Sequence, residues 1–166
     1  MILATASQRR DLLRRTRTIA VLGASANLLR PSYTVFSYLR RQPEYRVSPI
    51  NPTLQAIDGI EAFPSLAAFV AKQGPPDVVD VFRRPSEVVG VVNEAIAVGA
   101  KAIWFQYGVV NDEAIALADA AGMDVVVDRC MKVEHARFCG GLSTSGLNSG
   151  VITSRRASPS PNAPRD

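Results

Sequence analysis

Five short apolar runs alternate with helical segments along this chain, and few architectures accommodate that order. The runs are Thr18–Gly23, Tyr45–Ile50, Val78–Phe82, Ala102–Phe105 and Asp124–Asp128. Each is continuous rather than alternating, as expected for strands covered on both faces. Between them lie amphipathic stretches. Tyr33–Arg41 places Val35, Phe36 and Leu39 on one face. Ser65 can cap a helix to Lys72. Pro85–Val98 carries Val88, Val91, Val92 and Ile96 in register and stops at Gly99. Asn111 can cap a helix to Ala121, before Gly122. Pro49 weakens the second run as a strand or limits it to the strand's end, because proline cannot donate to a ladder. Such alternation predicts an α/β fold: a single domain with an open parallel five-stranded sheet and helices on both faces. The 166 residues suit one domain and can bury a core without staples.

In open parallel sheets, ligands sit beyond the carboxyl ends of the strands. The candidate site is therefore the set of residues that follow each run. Gly23-Ala24-Ser25-Ala26-Asn27 has a glycine for a tight turn and close backbone approach. Ser25 and Asn27 supply side-chain hydrogen bonds, and the next helix start offers free N–H groups to a phosphate. The turn is not GxGxxG, and Asn51-Pro52 stands where a dinucleotide site prefers an acid for the ribose hydroxyls. Arg83-Arg84, between Phe82 and Pro85, places two guanidiniums at a strand end, a pairing suited to phosphate oxygens. Arg30 and Lys132 can add charge. Gln106 and Gly108 follow the fourth run, and Cys130 the fifth. The one histidine, His135, reads as structural, and Asp80 lies inside a strand. No residue set has the form of a catalytic triad or a carboxylate pair. Cys130 and Cys139 form no zinc or disulfide pattern, which points to a reducing compartment, the cytoplasm.

Net charge misleads if taken whole. The chain carries +4, with an isoelectric point near 9.4, a balance that suggests nucleic acid. Five arginines against one aspartate lie in residues 1–17, and three against one in 140–166. The span between is slightly acidic, so no nucleic-acid partner is expected. The Arg-rich first 17 residues have the composition of a transit peptide, yet Thr5 and Gln8 fit a capping box and Leu12 and Leu13 can pack inward. A basic helix leading directly into the fold is expected there. Residues 139–166 form a Gly/Ser-rich then Ser/Pro/Arg-rich tail that is expected to be irregular. No run is long enough to span a membrane.

Taken together, the loops carry a resemblance. TIAVLGAS with Asn27 and RPSY, INP at Ile50–Pro52, VVDVFRRP at Val78–Pro85, WFQYGVVN at Trp104–Asn111 and DVVVDRCMKVEH at Asp124–His135 occur in order. Over roughly residues 5–138 the chain resembles the small stand-alone CoA-binding proteins, related to the CoA-binding domain of the succinyl-CoA synthetase alpha subunit. The resemblance implies a Rossmann-like domain over 18–138 that binds coenzyme A or acyl-CoA. It places Gly23, Ala24, Ser25 and Asn27 at the phosphates, Asn51, Pro52 and Phe82–Pro85 around the adenosine, and Gln106 and Gly108 along the pantetheine. No reaction is expected, since the chain lacks room for the phosphorylated-histidine domain of a synthetase. The alternative is an NAD(P)-linked enzyme or redox-sensing regulator using the same crevice. Self-association and a further protein partner are both compatible with this reading. If Cys130 faces the site, its thiol could form a mixed disulfide with coenzyme A.

Overall fold

The five apolar runs form one parallel sheet in the computed structural model, which describes residues 1–139. The tail expected beyond Cys139 lies outside the described residues. In chain order the elements are α1 (Ala6–Arg15), β1 (Thr18–Leu22), α2 (Pro31–Leu39), β2 (Arg46–Ile50), β3 (Ala56–Ile57), β4 (Ile60–Glu61), α3 (Leu66–Gln73), β5 (Val78–Val81), α4 (Val88–Ala97), β6 (Ala102–Phe105), α5 (Asp112–Ala120), β7 (Asp124–Val126) and α6 (Met131–Phe138). A 3-10 turn, Pro85–Glu87, precedes α4.

The sheet order is β2-β1-β5-β6-β7, with every pair parallel. Helices cover both faces, and this is why the strands are apolar on both sides. On one face Leu22, Val79, Val81, Ile103 and Val125 pack under Phe69, Val88, Val92, Ala114 and Ala118 of α3, α4 and α5. On the other, Ile19, Val21, Val78, Trp104 and Val126 pack under Leu12, Leu13, Val35, Phe36, Met131 and Phe138 of α1, α2 and α6. Pro49 lies within β2 and keeps the ladder intact because β2 is an edge strand. Its carbonyl accepts from Phe63 N on the outer side, so its absent N–H faces away from β1.

Four features depart from the pattern read along the chain. The segment 85–98 opens as a 3-10 turn, because Glu87 N bonds to Arg84 O and the Glu87 carboxylate accepts from Arg84 N. A hairpin, β3–β4, is turned by Asp58-Gly59, both at positive φ, as a two-residue Asp-Gly turn requires. Met131–Phe138 form α6, a helix absent from the amphipathic stretches read along the chain. Met1–Leu3 pair along β7 through Leu3 N to Val125 O and Val125 N to Met1 O, which covers the sheet edge.

Arg9 is not part of the surface charge. It is 6% exposed, and its Nε donates to Glu134 Oε2 at 2.7 Å while Nη1 donates to Ala4 O at 2.6 Å. This buried pair joins α1 to α6. Removing Arg9 breaks its bonds to Glu134 and Ala4 and leaves the buried Glu134 with only the longer contact to Arg137 Nη1, at 3.7 Å. Arg9→Ala is therefore expected to lower stability by about 3 kcal/mol, read by urea unfolding. Loss of no more than a surface arginine such as Arg10 would show that the pair contributes nothing.

Candidate functional site

In this sheet the chain leaves β1 in one direction to β2 and returns on its other side to β5. Their carboxyl ends part, and a crevice opens there. A cleft of about 740 Å3 occupies that place, within the range of small-molecule sites. Gly23, Ala24, Ser25, Arg30, Asn51, Pro52, Phe82, Arg83, Arg84, Gln106 and Cys130 line it. The segments that follow all five strands of the sheet thus converge on one cavity.

Gly23 is required by the fold itself. Its φ is +86°, and a Cβ there would lie 2.1 Å from the Phe82 carbonyl oxygen. Its N–H donates to Ile50 O, so this residue closes the gap between the ends of β2, β1 and β5. Beyond it, Asn27 N donates to Ser25 Oγ and Leu29 N donates to Asn27 Oδ1, which curls the loop toward α2. That helix has Pro31 in its first turn, no side-chain cap and no acid in that turn. Its partial positive end meets the cleft through Arg30, Pro31 and Ser32.

The guanidinium groups of three arginines at the cleft, Arg30, Arg83 and Arg84, have no carboxylate oxygen within 4 Å among the described residues. Glu87 also lines it, with its carboxylate accepting from Arg84 N. Unpaired guanidiniums beside an uncapped helix end favour an anion. Asn51 is committed internally: Nδ2 donates to Ala24 O at 2.7 Å, and Oδ1 accepts from Thr53 N at 2.8 Å. It ties two loops together at the position where a dinucleotide site would use a carboxylate.

Four expected site residues stand off the lining, each for a visible reason. Asn27 turns its backbone N–H and its Oδ1 to its own loop. Pro85 offers its carbonyl to Asn111 Nδ2. Gly108 donates its N–H to Asp128 Oδ1 at 2.9 Å, and Tyr107 lines the cleft in its place. Lys132 lies over the Tyr38 ring, 5.8 Å from its centroid. Conversely, Pro31, Ser32, Val35, Thr53, Glu87 and Val109 line the cleft without being among the expected site residues. Most adjoin a named residue, so widening each loop by one or two positions finds them.

His135 is buried away from the cleft lining, between Glu44 (Nε2 to Oε1, 2.8 Å) and Tyr38 (Oη to Nδ1, 3.0 Å). Burial pushes the half-buried Cys130 thiol up, outweighing the backbone N–H groups of Val133 and Lys132 that favour its thiolate. Asp80 is 0% exposed in β5, and Gln106 Nε2 donates to its Oδ1 at 2.6 Å. Burial raises its carboxyl to about 7, against the lowering by Gln106. A lone acid inside the run Val78-Val-Asp-Val81 was the sequence signal for it.

Comparison with known proteins agrees with this architecture. The chain is 37% identical over 127 residues to the uncharacterized protein YneT of Bacillus subtilis (strain 168), covering 76% of this chain and 91% of YneT. Among solved structures, a hypothetical protein from Pyrococcus horikoshii OT3 superposes with a TM-score of 0.77 at 37% identity, over 83% of this chain and 94% of that one. The Thermus thermophilus protein cell-free ID.343 gives 0.73 at 39% identity, over 80% and 98%. The parallel sheet with helices on both faces is thus a Rossmann-like fold shared with these small proteins. A sequence model described as CoA binding domain matches residues 17–136, and the chain belongs to that family.

Proposed function

We propose that this protein binds coenzyme A or an acyl-CoA in the cleft and does not transform it. The observation that carries this reading is the convergence of Arg30, Arg83 and Arg84, none paired with an acid among the described residues, on the crevice beside Gly23 and the open end of α2. Coenzyme A is a long, phosphate-rich ligand, and the cleft volume and cationic rim suit it. Membership of the CoA binding domain family supports the choice of ligand. Binding without turnover is supported by the state of the reactive groups at hand. Cys130 is held toward its thiol form, and His135 is occupied by Glu44 and Tyr38. Among the described residues, no helix is long and apolar enough to cross a membrane.

Titration calorimetry with coenzyme A, dephospho-coenzyme A and NADH tests the reading. Heat is expected with coenzyme A. Saturable binding of NADH, with none of coenzyme A, would transfer the cleft to a nicotinamide cofactor, which the committed Asn51 argues against. Arg83→Ala is expected to weaken coenzyme A about tenfold or more, the cost of one charge-assisted hydrogen bond. Unchanged affinity in the Arg83→Ala/Arg84→Ala double variant would remove these arginines from phosphate binding.

A further inference from the structure

Coenzyme A binding leaves one feature at the base of the cleft unused. Asp80 lies on the face of β5 shared with Val78, beside Val21 of β1 and Trp104 of β6. Its Oδ1 accepts from Gln106 Nε2, and its Oδ2, fully buried, has no partner among the described residues. Gln106 lines the cleft and is 4% exposed, and its Oε1 accepts no hydrogen bond from the described residues. An ionised carboxylate accepts only, whereas a carboxylic acid carries a donor. Ionised Asp80 therefore holds the amide with Nε2 inward and leaves Oε1 for the cleft. Protonated Asp80 has an O–H to satisfy, and the amide beside it satisfies that group by turning Oε1 inward and Nε2 outward.

We propose that Asp80 is a positioning residue: through Gln106 it sets whether the base of the cleft presents an acceptor or a donor, and in its ionised form it selects a ligand amide N–H. This rests on the coenzyme A reading, in which the pantetheine arm supplies amide N–H groups. The exchange falls at ordinary pH because burial has raised Asp80 to about 7. The polar and titratable surroundings are few. Gln106 comes from the end of β6, and Cys130, from the start of α6, is the titratable group whose field couples to Asp80. The ionisable groups of α6 face other partners: Glu134 meets Arg9 and Arg137, His135 meets Glu44, and Lys132 meets Tyr38. From β1 and α2 the neighbouring face carries no ionisable group: Val21, Val35 and Phe36 are apolar, and Ser32 is the polar residue beside them.

The test is calorimetry with dephospho-coenzyme A, which lacks the phosphomonoester that itself titrates near pH 6. The wild-type chain is expected to bind about tenfold tighter at about pH 8 than at about pH 6, as one linked proton requires. Heats in two buffers of different ionisation enthalpy, near the lower pH, should report release of a proton on binding. Asp80→Asn is expected to bind with the same affinity at both pH values and to release none. If that variant does not fold, Gln106→Met removes the amide and is expected to abolish the pH slope in the same way. A flat, proton-free wild-type isotherm, or an unchanged slope in the variants, overturns the role of Asp80 while leaving ligand binding intact. Absence of binding at both pH values overturns the coenzyme A reading and the role of Asp80 toward that ligand together.

Discussion

Gly23→Ala is expected to lose about 5 kcal/mol of stability and to lower the melting temperature by on the order of 10 °C. Two separate costs add at this position. The backbone sits at φ +86°, where a Cβ is strained. The same Cβ would lie 2.1 Å from the carbonyl oxygen of Phe82, a backbone atom that cannot rotate away. Relief requires the ends of β1 and β5 to move apart, which also opens the floor of the cleft. Gly59→Ala separates the two costs. Gly59 has a similar φ, +76°, but nothing lies within 4 Å of its added Cβ. That control is expected to lose only about 1–2 kcal/mol. Equal losses in thermal and urea unfolding would mean that close approach to Phe82 has no energetic weight, and that Gly23 is an ordinary turn residue.

The stability of this protein is expected to fall as pH rises from about 4 to about 7, by about 4 kcal/mol from Asp80 alone. Its carboxyl titrates at about 7 in the fold against an ordinary value of 3.8. Between those values the folded state holds a proton that the unfolded chain has released. The folded state binds more protons, so stability declines with pH across this window and levels off above it. The opposite behaviour belongs to Asp77. There Lys101 and the N–H groups of Arg17 and Thr18 outweigh burial and hold the carboxyl at about 2, so its contribution is lost only below pH 4. The two windows do not overlap. Asp80→Asn keeps the shape and a bond to Gln106 but cannot ionise. Its advantage over the wild-type chain is expected to grow as pH rises from about 4.5 to 7.5. Urea unfolding of both proteins across that range decides it: parallel pH profiles would show that Asp80 is ionised in the fold at all these values.

The effects of Gly23 and Asp80 were unequally visible along the chain. A glycine after an apolar run announces a turn, and the turn at Gly23 is present. That its hydrogen atom faces Phe82 depends on β5 lying beside β1, sixty residues away in sequence. Asp80 was visible as an acid in an apolar strand, but its partner Gln106 comes from the next strand over. Arg9 looked like one of five surface arginines; Glu134, on the last described helix, makes it part of the core. The hairpin at Asp58-Gly59 passed unnoticed although Asp-Gly is a strong turn signal, because its strands are two residues each and have no periodicity to read. Gly108 and Lys132 sit in the right loops but are turned to Asp128 and Tyr38, and only packing could assign those directions.

Local periodicity by itself determined the class of fold, the order of the five sheet strands and of the helices between them, and the loops that could meet a ligand. The reason is that an apolar run of four or five residues is too short for a helix, and its continuous apolarity fits a strand covered on both sides. The tertiary structure decided which loops share a cavity. Placing β5 against β1 creates the crevice and brings Arg30, Arg83 and Gln106 to it, while the packing of α6 on α1 and α2 buries Arg9 and His135. Those outcomes follow from contacts between segments tens of residues apart, and their energies reside in burial and close packing rather than in any residue's own preference.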